Sequence, residues 1–184
     1  MTTTIPETVR AVLAAAQAGV ADGLTAADDL ISGNPDTPRP LLDAAVLAGA
    51  ALGSVHAAAD FTRARPRPRP VPGVTSATQD PLSQALLGEA LADAQGAVAF
   101  VLETADELAE RPAGPVARAL AAFDVAAEAG LRQAERIWEI VGTSGSPNVH
   151  GFDRLWREAR ALTLRHPRGP RRRAVGLAYL GLES

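Results

Sequence analysis

Two stretches of this chain place their apolar residues in strict alternating steps of four and three. The first runs Leu87, Leu91, Ala94, Val98, Val101, Ala105, Leu108; the second runs Val116, Leu120, Phe123, Ala127, Gly130, Ala134, Ile137, Val141. That spacing keeps one stripe of an α-helix turned toward a neighbour, and no strand pattern produces it. Only seven residues lie between the two stretches, and the last four, Pro112-Ala-Gly-Pro115, form a short turn. Long helices joined by so short a turn must pack antiparallel, so the chain is organised around a helical hairpin.

Punctuation residues set the remaining boundaries. Asp80-Pro81 is an acidic N-cap followed by a proline in the first turn, and Arg111-Pro112 stops the same helix. Near the start, Pro6 precedes Val9, Val12, Leu13, Ala16 and Val20 at helical spacing, which predicts a helix ending near Gly23. A short helical stretch over 25–31 follows. Residues 32–40 hold three prolines and break the chain. A second long helix is expected over 41–63, with Gly49 and Gly53 one turn apart so that a neighbouring helix can come close. Residues 65–73 alternate Arg and Pro and then end in Val-Pro-Gly, a composition that favours an extended polyproline-like loop. Past the hairpin, 142–147 is a loop of Gly, Ser and Pro, a shorter helix covers 151–165 up to Pro167, and a last one runs over 170–180.

Composition agrees with this reading. Aromatic content is 4%, very low for a sheet-based core, while Ala and Leu, both strong helix formers, dominate. The expected fold is all-α, an antiparallel bundle of four to six helices over residues 40–184 with an N-terminal helical extension over residues 1–39.

Several function classes recede at the same time. With 184 residues there is room for one domain, and with no cysteine there is no disulfide framework, thiolate zinc site or cysteine nucleophile. The N-terminus lacks a basic n-region, and no uncharged apolar run reaches the ~18 residues of a membrane span, so a soluble cytoplasmic protein with no membrane partner is expected. The net charge of −3 gives no general attraction to nucleic acid, and Arg171-Arg-Arg173 is a short, isolated basic cluster. His56 and His150 lack partners at metal-ligand spacing, so no metal site is expected. No glycine-rich phosphate loop, serine elbow or carboxylate pair is present.

Three segments carry a family resemblance. Phe152-Asp-Arg-Leu-Trp-Arg-Glu-Ala-Arg-Ala-Leu-Thr-Leu-Arg-His-Pro167 is similar to the helix that leads into the catalytic segment of acyl-CoA dehydrogenase-fold enzymes. It resembles more narrowly the flavin-dependent monooxygenase branch typified by dibenzothiophene monooxygenase. Ile137-Trp-Glu-Ile-Val-Gly-Thr-Ser144 looks like the loop preceding that helix. Phe61-Thr-Arg-Ala-Arg65 resembles an aromatic-x-x-x-Arg motif at the end of the domain's first helix. The resemblance implies the C-terminal helical domain of an enzyme built from an N-terminal helical domain, a middle β-domain and this bundle. Flavin lies between the last two and often touches a neighbouring subunit's bundle.

Carried over position by position, the resemblance implies that Arg65 contacts a flavin phosphate and that Thr143 and Ser144 approach the flavin. Counting along the motif puts His166 in the slot of the dehydrogenases' catalytic carboxylate. The histidine slots of the monooxygenase branch hold Leu162 and Arg165, so neither catalytic group is retained. An imidazole can still serve as a base, which makes His166 the catalytic candidate. No strand periodicity precedes Leu41, and no β-domain is recognised. The leading expectation is one subunit of a split flavin-dependent oxidoreductase, with FAD or FMN bound only when a β-domain-containing flavoprotein subunit completes it. The alternatives are a flavin-free cyclase or isomerase acting on a small hydrophobic ligand, with His166 and nearby arginines as its polar groups, and a non-catalytic assembly or ligand-binding module. Homo-oligomer formation through the long helices is expected as well.

Overall fold

A computed structural model describes residues 4–19, 25–65, 72–111, 116–146 and 150–182. Among these, every regular element is helical: α1 (Ile5–Ala18), α2 (Thr25–Ser32), α3 (Arg39–Ala64), α4 (Pro81–Glu110), α5 (Val116–Val141), α6 (Phe152–Thr163) and α7 (Arg168–Tyr179), with 3-10 turns at Ala77–Gln79 and Gly142–Gly145. The expected all-α bundle is the observed fold. Val20, Gly23, most of the Arg/Pro loop, the turn at 112–115 and Pro147 lie outside the described residues.

The caps follow the chemistry that marked them. The Asp80 carboxylate accepts from the Leu82 amide at 3.1 Å and from the Ser83 hydroxyl at 2.8 Å, with Pro81 opening α4. At α1, Thr4 and Glu7 form a reciprocal capping box. This helix stops at Ala18, about a turn short of the predicted Gly23, because Gly19 closes it by donating to the Ala15 carbonyl. α3 starts at Arg39, inside the stretch read as a break, since prolines at 38 and 40 sit where a helix has no amide partner to lose.

α3 is the core helix. Most of its residues are buried, and it touches α1, α4, α5 and α6. Leu47 meets Gly130 of α5, and Val55 lies in one apolar cluster with Ile137 and Ile140, so α3 and α5 run in the same direction. α4 runs against both. Arg118 reaches Glu107 at 2.7 Å near one end of the hairpin, and Arg136 reaches Glu89 at 2.6 Å near the other. α6 returns antiparallel to α5, with Leu155 packed beside Ala50 and Ala134. The four form an up-down-up-down bundle, and α7 lies along α5.

The second seam is seated as expected from Phe123 onward, whereas Val116 is exposed. The first seam is rotated over its opening half. Ala90 and Ala97 are buried there, while Leu87, Leu91 and Val98 sit at the edge. Small residues face inward because α4 packs close to two helices at once, and its larger side chains are turned outward.

The N-terminal stretch is not a loose appendage. Val9, Val12, Leu13 and Ala16 belong to the same apolar cluster as Leu41, Val101 and Phe123. Gly49 allows this contact: a Cβ there would fall 2.4 Å from the Leu13 carbonyl oxygen. α1 is therefore laid backbone-to-backbone on α3.

Candidate functional site

The sequence-derived candidates fall into two groups at opposite ends of the bundle. Arg65 follows the last turn of α3, and His166 contacts Asp43 in that helix's first turns. The intervening helix is roughly 33 Å long at about 1.5 Å per residue.

At the Arg65 end, α5 finishes at Val141 and the chain turns sharply. Gly142 takes φ +61°, a left-handed conformation that side-chain-bearing residues rarely adopt. The 3-10 turn Gly142–Gly145 then folds back over the helix end. Gly145 is pressed against Val141, whose Cγ2 would lie 2.3 Å from an added Cβ. The turn presents Thr143 and Ser144 to solvent, and Arg65 donates from Nη2 to Ser144 Oγ at 3.4 Å. Sequence positions 79 apart are thereby joined in one polar edge.

Aromatic packing supports that edge. Phe61 meets His150 edge-on at 5.0 Å and Phe152 at 6.1 Å, and Trp138 meets Phe152 at 6.3 Å. His150 is thus a packing residue. The neighbouring Arg63 is committed to Asp60 at 2.6 Å. Arg65, by contrast, has no carboxylate partner among the described residues, and its recorded contact is the neutral Ser144 hydroxyl. A half-buried guanidinium beside two exposed hydroxyls suits an anion with several oxygens, and a phosphate fits that donor set.

At the other end, the structure supplies a residue that the sequence reading missed. Asp43 is fully buried and accepts from Arg39 at 2.9 Å, Arg165 at 3.2 Å and His166 Nε2 at 2.9 Å. A carboxylate facing these cations only accepts, so Nε2 carries the hydrogen. The His166 ring also packs edge-on against Phe123 at 4.6 Å, and its backbone carbonyl accepts from the buried Arg171 at 2.6 Å. Arg171 is itself held by Asp124. His166 is therefore a fixed member of a charged cluster at the start of α3. Neither Leu162 nor Arg165 restores an imidazole at the positions where the monooxygenase branch carries one.

The remaining histidine is also satisfied: His56 Nδ1 lies 3.1 Å from the Gln17 amide. Trp156 is 44% exposed on α6. The i,i+4 pairs Arg154–Glu158 and Arg157–Asp153 form the expected lattice along that helix, whereas Arg160 has no ion pair among the described residues. No group of three metal-ligating side chains occurs among the described residues. By length and hydropathy alone, α3 and α4 could each cross a membrane, but 83% of the α3 window is buried within the bundle, against 22% for α4.

Comparison with known proteins agrees with the all-helical fold. Residues 42–166 match the family described as acyl-CoA dehydrogenase, C-terminal domain. The chain is 32% identical over 138 residues to dibenzothiophene monooxygenase of Mycolicibacterium goodii, an alignment covering 69% of this chain and 33% of that protein. The Rhodococcus erythropolis enzyme of the same name gives 32% identity over the same shares. Among solved structures, dibenzothiophene monooxygenase (TdsC) from Paenibacillus sp. A11-2 superposes with a TM-score of 0.69 at 30% identity, covering 78% of this chain and 39% of that one. Its FMN-bound form gives 0.69 at 32% identity. Methanesulfinate monooxygenase MsuC from Pseudomonas fluorescens shares the fold, with a TM-score of 0.71 at 24% identity. The chain spans about a third of the length of the curated relatives it matches.

Proposed function

The chain belongs to the acyl-CoA dehydrogenase family as a C-terminal helical domain, and from that premise we propose that it is the helical subunit of a split flavin-dependent oxidoreductase. Its share of the work is to present Arg65, Thr143 and Ser144 to the phosphate of FAD or FMN carried by a β-domain-containing flavoprotein subunit. The flavin, when bound, would supply the redox chemistry. This chain's residues bind and orient its phosphate end.

The observation that carries this reading is the guanidinium of Arg65, poised beside Ser144 with no carboxylate partner among the described residues. An arginine kept for structure normally finds an acid, as Arg63 does with Asp60. FMN is the better-supported cofactor, because a relative with 32% identity is described in an FMN-bound form. His166 is assigned no redox role here. It lies at the far end of α3 and is bound into the Asp43 cluster.

A partner is also favoured by α4. Its apolar window is long but only 22% buried, with Leu82 more than half exposed and Leu86, Leu91, Val98 and Phe100 at the rim. Monomers rarely leave a helix this long and apolar so little buried. We assign it to assembly, either between copies of this chain or with the flavoprotein subunit, and place that assembly in the cytoplasm.

The test is co-purification. The chain is expressed alone and together with the products of neighbouring reading frames, and absorbance is recorded in the flavin bands. A co-purifying β-domain subunit with bound flavin supports the proposal. If no partner co-purifies and flavin never binds, the proposal is lost.

A further inference from the structure

We propose that the cavity bounded by α5, α7 and the segment joining α6 to α7 is a second site, which binds a small, largely apolar monocarboxylic acid. The cavity measures about 300 Å³, and its walls include Leu120, Pro170 and Ala174 beside Arg165, His166 and Arg171. The site is independent of the flavin-phosphate edge, which lies at the other end of α3.

Charge and hydrogen-bonding capacity select the ligand. One carboxylate, that of Asp43, serves two guanidiniums and an imidazole, so the cluster lacks a negative charge even with His166 neutral. Arg171 is held in place by Asp124 and the His166 carbonyl, and its charge is already balanced by the Asp124 carboxylate. Arg165 uses only Nη1, toward Asp43. Its remaining N–H groups have no partner among the described residues, and the residue lines the cavity. On His166, Nε2 donates to Asp43, leaving Nδ1 without a recorded partner.

A carboxylate supplies the acceptor that the cluster lacks: its oxygens accept from the N–H groups of Arg165 that Asp43 leaves free. The body of the ligand lies against Leu120, Pro170 and Ala174, where a polar body would lose hydration without replacement.

A neighbouring cavity of about 280 Å³ on the other side of Arg165 serves as the contrast. Asp28 and Glu158 line it, so an anion is repelled there, whereas no carboxylate lines the proposed site. Phe123 and Arg171 hold His166 from behind, so the site is preformed and a ligand need not order it.

The test uses the full chain and two neutral-bodied probes, cyclohexanecarboxylate and its amide, titrated while the NMR signals of the Leu120 and Ala174 methyls and the His166 ring are followed. Saturable shifts at all three are expected with the acid, and binding of the amide at least about tenfold weaker. Arg165→Gln, a substitution at a half-exposed position, should weaken the acid about tenfold without unfolding the chain. Leu120→Trp should fill the cavity and abolish the shifts while helicity is retained. The proposal is overturned by an absence of saturable shifts at these residues, by equal binding of acid and amide, or by an Arg165→Gln variant that binds as the parent does. None of these outcomes bears on the Arg65 edge, so the two proposals fail separately.

Discussion

Replacing Gly49 with alanine tests the seating of α1 on α3. The added Cβ would lie 2.4 Å from the Leu13 carbonyl oxygen, 3.0 Å from the Ala16 Cβ and 3.2 Å from the Gln17 amide nitrogen. A comfortable carbon–oxygen contact is about 3.3 Å, so α1 must retreat by nearly 1 Å. Backbone cannot rotate aside as a side chain can. The retreat would also open a gap along Val9, Val12, Leu13 and Ala16, all buried at this interface. Overpacking of this kind costs about 1–3 kcal/mol, and opposition by main chain puts Gly49 near the top of that range. Alanine's better helix propensity returns about 1 kcal/mol. The net loss is about 2 kcal/mol, or about 1 M in the urea midpoint for a slope near 2 kcal/mol/M. Gly88→Ala and Gly96→Ala provide the control. Both lie within α4 with nothing inside 4 Å, so each should gain about 1 kcal/mol from propensity alone. Urea unfolding at one fixed protein concentration measures all three. A Gly49→Ala variant as stable as the parent, alongside stabilised controls, would show that α1 does not rest on α3.

Gln133 is 2% exposed and its Nε2 has no hydrogen-bond partner among the described residues, so Gln133→Met should stabilise the chain by about 1–3 kcal/mol, read as a higher urea midpoint. Asp43→Ala removes the one acceptor shared by Arg39, Arg165 and His166, and should cost about 3 kcal/mol in the same assay. The Glu7 carboxyl is held below the ordinary glutamate range, chiefly by the Thr4 backbone amide and then by the Thr4 hydroxyl. Its contribution to the start of α1 is therefore present above the unfolded-state value and disappears as pH falls through the lower folded-state one. Amide exchange in the first turn of α1 should accelerate over that acidic window, and Glu7→Gln should remove the pH dependence.

How far the sequence could be read depended on the range of the interaction. The start of α4 was visible at Asp80-Pro81 because an N-cap is a local event, completed within three residues by Leu82 and Ser83. The α5 stripe was visible because α5 presents one broad face to its neighbours. The α4 stripe was misplaced by one helical position at Leu91 and Val98. Periodicity ranks residues by apolarity, whereas close approach to two helices favours Ala90 and Ala97. Asp43 was hidden. A carboxylate near a helix start reads as a solvated dipole partner, and two of its three donors lie more than 120 residues further along the chain. Arg65 and Ser144 were named through family likeness, and only the fold brings them within reach of each other.

The most direct measurement concerns that pair. FMN affinity for the assembly with a β-domain-bearing subunit can be followed by quenching of flavin fluorescence, for the parent and for Arg65→Ala, with riboflavin as the ligand that lacks a phosphate. A charge-assisted bond to phosphate contributes about 1.5–3 kcal/mol, so the account predicts FMN binding weakened roughly ten- to hundredfold and riboflavin binding unchanged. Unaltered FMN affinity, or an equal loss for both ligands, would contradict it.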